Sequence, residues 1–485
     1  MTEAELNSPE IQPNVFITVD RVAKEIVQLV NKSGVKVDIT IPDTLDDGTK
    51  LARLALNRCV GEFGTVKISD GISDVGYGCF LLTANIEKII WSNGCNRIPD
   101  RCFVSRGIKE VTNISHVVSV GEGAFGSCGI KKLTWPDNCK EIPDNAFQYS
   151  SLEHIENIEN VTKIGKRAFC FTDIESFTVP KKITSISSGM LKGSKCSEII
   201  LHRNVTNIKD SAFSGTKIKT FKWPEKCSTI PKGCFSCCKE LTSVEGLSKV
   251  KKIKDAAFKG CEKLTVFDWP EACTEIPERC FSGCKRLREI NIPDKVDKIQ
   301  MRAFEKVGIT SFKWPKSCKI IPQLCFQKSA VTEVTGLQDV QEVGVGAFFK
   351  SKICKIDWPK AVSVIPKICF AYTDLNQITG ITGVTKVEES AFEGTKIKTF
   401  EWPKGAQKIP NKCFYRSWLE EISGIDNVLS IGILAFSESL IKSLNLLNST
   451  VAKISTGAFL GLAEDNVVSP YYMDEDEFNK GFVPF

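Results

Sequence analysis

Histidine is nearly missing from this chain, with three in 485 residues, and that removes most catalytic and metal chemistry. His116, His154 and His202 stand in no H-E-x-x-H or triad context, and neither a P-loop nor a dinucleotide fingerprint occurs. Long apolar runs are missing too: no stretch approaches the roughly 18 residues of a membrane helix. The N-terminal MTEAELNSPEIQPN has no basic and apolar signal regions, and the final GFVPF has no prenylation cysteine. These absences predict a soluble, cytosolic chain with no membrane insertion. The net charge of +6 is a mild excess of interspersed charges, which predicts no nucleic-acid partner.

What the chain does have is a beat. Phenylalanine recurs every 22 or 23 residues, at 80, 103, 125, 147 and 169, then from 213 to 459, and Leu191 fills the one empty slot. A repeat of this length signals stacked short coils, each burying its apolar face against its neighbours. In LTVFDWPEACTEIPERCFSGC, Leu264, Phe267 and Trp269 match L-x-x-L-x-L, the strand signature of leucine-rich repeats. The expected fold is a curved, mainly β leucine-rich repeat solenoid of about 18 coils with short turns and a spine of stacked phenylalanines.

The coils alternate, so the full period is about 44 residues. One kind reads W-P-x-x-C-x-x-I-P-x-x-C-F, as at 223–235. The other reads G-[LI]-x-x-V-x-x-[IV]-x-x-x-A-F, as at 380–392. Trp at 91, 135, 223, 269, 314, 358 and 402 alternates with Asn113, Asn157, Gly246, Gly336, Gly380 and Gly424, which suggests large side chains packed beside small ones. Three residues past most phenylalanines sits Cys, Ser or Thr, among them Ser150, Thr172, Thr216, Ser329, Thr373, Thr395 and Ser439. These are expected to satisfy turn carbonyls.

Flanking segments complete the division. Residues 1–14 are expected to be disordered. Residues 15–65 are expected to form a small α/β cap of strand, helix, strand and second helix. Val22, Ile26, Leu29 and Val30 would share one face of the first helix, and the second would run over 51–59. The solenoid spans 66–462, and the acidic segment 463–485 is either a cap or a loose tail.

The cysteine-rich composition, 21 in all, invites disulfide or zinc readings. Most cysteines follow the beat as small apolar core residues, in place of Ala (102, 234, 280, 325, 369, 413) or Val (95, 139, 227, 273, 318). Equivalents two coils apart would lie about 10 Å apart, beyond the ~7 Å Cα limit of a bridge. Cys238, Cys261 and Cys284 lie in three consecutive coils, so a disulfide there stays open beside a reduced ladder. Cys234, Cys237 and Cys238, with Cys280 and Cys284, form a weaker zinc candidate. Four N-x-S/T sequons start at Asn113, Asn160, Asn204 and Asn448, and matter only on export.

The repeats at 161–180 and 252–270, VTKIGKRAFCFTDIESFTVP and KIKDAAFKGCEKLTVFDWP, resemble the BspA-like, or treponemal-type, leucine-rich repeat family. The resemblance covers about four-fifths of the chain. It implies a non-catalytic protein-binding solenoid, with surface antigens and adhesins for host or microbial proteins among its members. An intracellular scaffold is the alternative, and the missing signal favours it. No enzyme activity or cofactor is expected, and the protein is expected to be a monomer with a protein partner, host or cell-surface on the family's precedent. Outward strand positions are the expected partner face: Lys131, Lys132, Glu153, His154, Lys219, Thr242, Thr265, Arg288, Glu289, Thr310, Thr332, Lys355, Gln377 and Lys398. Its middle reads as uncharged and threonine-rich.

Overall fold

The computed structural model describes residues 10–81, 83, 86–446 and 450–468. The chain is a β-solenoid of about 19 turns with almost no helix. It divides into two compact units. The first runs to Cys227 with Gly233–Cys238; the second comprises Ser228–Lys232 and Lys239 onward.

The first unit opens with strands β1 (Glu10–Gln12), β2 (Val15–Asp20), β3 (Glu25–Asn31), β4 (Val37–Ile41), β5 (Arg53–Val60), β6 (Phe63–Ile68), β7 (Asp74–Val75) and β8 (Ile86–Ile90). Both helices expected in the cap are strands, β3 and β5. The reason is a bulge. Thr18 faces Gln28 while Val19 faces Ile26, so Val27 is the extra residue in β3. Ile26 and Leu29 are therefore both buried at a spacing of three, which mimics a helical face. Val22, the fourth residue of that supposed face, is 97% exposed. Of the segment expected to be disordered, residues 10–12 form β1 against β2, and 1–9 lie outside the described residues. β4 already pairs in parallel with β6, and β6 with β8, so coil stacking starts at Val37. At the other end Glu464–Asn466 form a single 3-10 turn, Val467–Val468 pairs with Leu444–Asn445, and 469–485 lie outside the described residues.

A coil has a three-residue strand, a turn, a two-residue strand and a second turn that carries the phenylalanine inward. Val266–Asp268, Glu275–Ile276 and Phe281 show the pattern. In the first unit Phe80, Phe103, Phe125, Phe147 and Phe169 stack with centroids 5.2–5.9 Å apart. In the second, successive rings from Phe258 to Phe281 and on to Phe326 stack at 5.6–6.1 Å. The stack continues through Phe414 and Phe436 to Phe459.

The Trp-Pro motif closes the first turn. Each indole N–H donates to the carbonyl four residues on, as in Trp135 to Cys139 at 3.0 Å and Trp314 to Cys318 at 2.9 Å. Trp358 and Trp402 do the same to Val362 and Ala406, so the bond needs the backbone and not a cysteine. The small partner position has a different cause from the expected fit against an indole. Gly380 has φ +77°, and a Cβ there would meet the Trp358 carbonyl oxygen at 2.5 Å. Asn113 and Asn157 take the same left-handed conformation and donate their side-chain amides to the carbonyls of Trp91 and Trp135.

Not all of the expected turn donors bond to a turn carbonyl. Thr172, Thr216, Thr373 and Thr395 donate to the carbonyl of the phenylalanine three residues back. The buried hydroxyls of Ser150, Ser329 and Ser439 make no hydrogen bond among the described residues, which corrects that expectation for these three, whereas Ser194 donates to the Leu191 carbonyl at 2.8 Å.

Candidate functional site: the strand face

The first strands of successive coils line one face, and in each the middle residue points inward. The side chains that face solvent are therefore the first and third. Lys132, His154, Glu289, Lys355 and Gln377 are first residues of their strands. Lys131, Glu153, Lys219, Thr242, Thr265, Arg288, Thr310, Thr332 and Lys398 each immediately precede a strand. Missing from the sequence reading is the third position. In the first unit it holds Thr134, Glu156, Thr178, Ile200 and Lys222. In the second it includes Asp268, Asn291, Lys313, Thr335, Asp357, Thr379 and Glu401. Period-2 counting outward from the buried Leu133 or Phe267 would have found it.

The face is not one continuous sheet. In the second unit 266–268 pairs with 289–291, 311–313 with 333–335, 355–357 with 377–379, and 399–401 with 421–423. Each pair joins a Trp coil to the coil after it, which has Gly at the partner position in three cases and Ile292 in the first. Among the described residues Glu333–Lys355 links the second of these pairs to the third, and Glu421–Ser443 links the fourth to the coil that follows. The first unit repeats this with 132–134 on 154–156 and 176–178 on 198–200. Grooves sit at three breaks, and a fourth lies where Glu333 bridges to Lys355. In the first unit one of about 520 Å³ lies between Ile155 and Phe177. In the second, grooves of about 430, 470 and 630 Å³ lie beside Ile290, Val334 and Ile378. Ile155, Ile290 and Ile378 are only half-buried, whereas Phe177, Phe312 and Phe400 across the breaks are buried.

Ion pairs between adjacent coils occupy many of the expected binding residues. Lys131 meets Glu153 at 2.8 Å, Lys132 meets Glu156 at 2.7 Å, Lys355 meets Glu333 at 3.0 Å and Lys398 meets Glu420 at 3.0 Å. The Lys132 hydrogen bond holds the Glu156 carboxyl below its usual range, and the Glu153 hydrogen bond raises Lys131. Arg288 donates to the Gly308 carbonyl at 2.7 Å, and Thr332 donates to that of Thr310 at 3.0 Å. His154 is exposed on the face and His202 lies at a groove rim, while His116 contacts the carbonyls of Ser92 and Cys95 in a Trp turn.

The cysteines form no site. All 21 are free thiols. Cys238 donates to the Phe213 carbonyl at 3.0 Å and Cys284 to that of Phe258 at 3.2 Å. Burial pushes Cys238 up to about 11 and Cys284 up to about 12, which disfavours the thiolate that zinc requires. Among the described residues no cluster of three or more His, Cys, Asp or Glu side chains is placed to hold a metal. Among them, too, no helix is long and apolar enough to cross a membrane. Of the sequons, Asn113 is tied to Trp91, Asn160 and Asn204 are exposed, and Asn448 lies outside the described residues.

Comparison with known proteins agrees with this geometry. A leucine-rich repeat protein from Bacteroides ovatus superposes with a TM-score of 0.58 at 18% identity, over 78% of this chain and 94% of that one. A leucine rich cell surface protein from Faecalibacterium prausnitzii gives 0.36 at 16% identity, over 86% and 95%. The pneumococcal vaccine antigen PcpA gives 0.31 at 13%, over 83% and 92%. The first shows the fold, and the other two carry no argument. A search of curated protein sequences found no match. The family described as BspA type leucine rich repeat region matches residues 37–153, 73–197, 140–265, 251–376 and 341–464. Those spans run almost unbroken from the first stacked strand to the last phenylalanine of the spine, and the chain belongs to the BspA type leucine-rich repeat family.

Proposed function

We propose that this protein is a non-catalytic binding solenoid whose strand face takes extended segments of a protein partner. The observation that carries this reading is the set of grooves at breaks between strand pairs. Those beside Ile155, Ile290 and Ile378 each have a half-buried aliphatic floor and a strand edge that does not pair across the break, which suits an apolar side chain and a few backbone hydrogen bonds. The setting we propose is adhesion at a cell surface, on family membership.

Peptide display against the whole chain tests the binding reading. Selected peptides should lose at least about tenfold in affinity for a Thr178→Trp, Thr379→Trp variant, whose indoles fill two grooves from exposed positions. Peptides that bind the filled variant as well as the parent would place recognition elsewhere. Surface labelling of intact cells tests the setting. Label found only after lysis would replace adhesion with an intracellular scaffold.

A further inference from the structure

In the first unit the ion-pair ladder stops short. Lys88–Glu110, Lys109–Glu87, Lys131–Glu153, Lys132–Glu156 and Lys195–Asp173 are each 2.7–2.9 Å. Beyond it, Lys181, Arg203, Lys222 and Lys226 are all exposed and enter no ion pair among the described residues. Over residues 181–227 the chain has ten Lys or Arg against three Asp or Glu. That local excess is larger than the +6 of the entire chain. A charge count averaged over 485 residues hides it.

The patch is ordered by the coil register. Thr178 pairs with Ile200, so Lys181 and Arg203, each three residues further on, open equivalent turns in adjacent coils. Lys222 holds the same third strand position one coil later. Beside them lies the groove of about 520 Å³, with Ile155, Ile158, Ile174 and Phe177 in its lining and Lys181 and His202 at its rim. Ile200, amid the charges, is 47% exposed. The opposite rim bears Glu153, held by Lys131, and Glu159.

We propose that this patch docks an acidic protein segment. One aliphatic side chain fills the groove, and the carboxylates that follow it lie over Lys181, Arg203 and Lys222. This rests on the strand face being a protein-binding surface. From the groove to Lys222 is two coils, about 10 Å, or roughly three extended residues. The ligand is therefore an aliphatic residue with two or more carboxylates within the next three or four. A sulfated polysaccharide shares the charge but has nothing to place against Ile155 or Ile200, and the glutamates on the far rim repel a continuous polyanion.

Fluorescence anisotropy on the full chain tests this, using a ten-residue peptide with one leucine followed by four carboxylates. The peptide should bind more weakly as salt rises. Arg203→Glu with Lys222→Glu, both on exposed side chains, should cost at least about tenfold. Replacing the leucine by alanine, or the carboxylates by amides, should weaken binding comparably. Equal binding to the reversed variant, or none at millimolar peptide, overturns the proposal. So does heparin binding that is unaffected by Thr178→Trp, which would make the patch a polyanion site. If displayed peptides bind grooves filled by Thr379→Trp yet carry no acidic bias at the first unit, this inference falls and the wider reading stands. If no peptide binds either unit, both fall.

Discussion

Two residues before the spine phenylalanine, or before Leu191 in its place, the backbone turns left-handed in coil after coil, and twelve of these eighteen positions are not glycine. Arg167, Ala256, Arg279, Leu324, Ile368 and Lys412 all have φ between 51° and 57° there. Each bears a conformational cost that a non-glycine residue ordinarily avoids. The burial of the adjacent ring offsets it. Phe281 is fully buried and stacks between Phe258 and Phe304. Phe281→Ala should cost about 3–5 kcal/mol in denaturant unfolding, and a loss under about 1 kcal/mol would contradict a buried spine. The cysteines beside the spine are shielded by the same packing. Burial puts Cys128 and Cys196 at about 12 and Cys95 and Cys139 at about 11. A thiol reagent at pH 8 should therefore react rapidly only with the exposed Cys237 and the partly exposed Cys354 in the native protein, and with all 21 after denaturation. Fast native reaction of many thiols would show an open core. The spine and the apolar role of cysteine were both legible, because a buried position repeats its residue type at every coil. The left-handed turns were legible only where glycine recurs, at Gly78, Gly123, Gly189, Gly233, Gly346 and Gly457, since arginine, leucine and isoleucine leave no trace of φ in the letters.

At the scale of the strand and the coil, the 44-residue alternation has a structural meaning. A Trp coil and the Gly-type coil after it share a paired strand, and the groove lies between one such pair and the next. Removal of residues 315–358, two whole coils, joins Trp314 to Pro359 and restores the motif. Removal of 315–336 alone sets two Trp coils side by side. The larger deletion should melt within a few degrees of the parent and with one transition. The smaller should lower the melting temperature more, by circular dichroism, although it removes half as much chain. The reverse order would show that the alternation is only cosmetic. The repeat and its two kinds could be read from sequence, but the breaks could not, because they depend on which neighbouring strands come within hydrogen-bonding distance. The outward set was half legible for a simpler reason. Reading the solvent-facing pair as consecutive residues captured Lys132 and Glu289 but passed over Thr134 and Asn291, two residues on. The bulge at Val27 misled in the opposite sense, giving a strand the spacing of a helix.

For the whole molecule, the breaks between strand pairs have a mechanical consequence. Within the second unit, 266–268 and 289–291 form one two-stranded block, and 399–401 and 421–423 form another. The hydrogen bonds that tie coil to coil run along the stack, so a pull on its two ends loads them one after another instead of shearing them together. The weak links come once per pair except at Glu333–Lys355, where two pairs are joined. In an optical trap the second unit should therefore lengthen in steps of two coils, about 44 residues or roughly 150 Å of extended chain each. Steps of half that size would mean that single coils yield independently. A tether that gives way in small equal increments limits the force on whatever it holds.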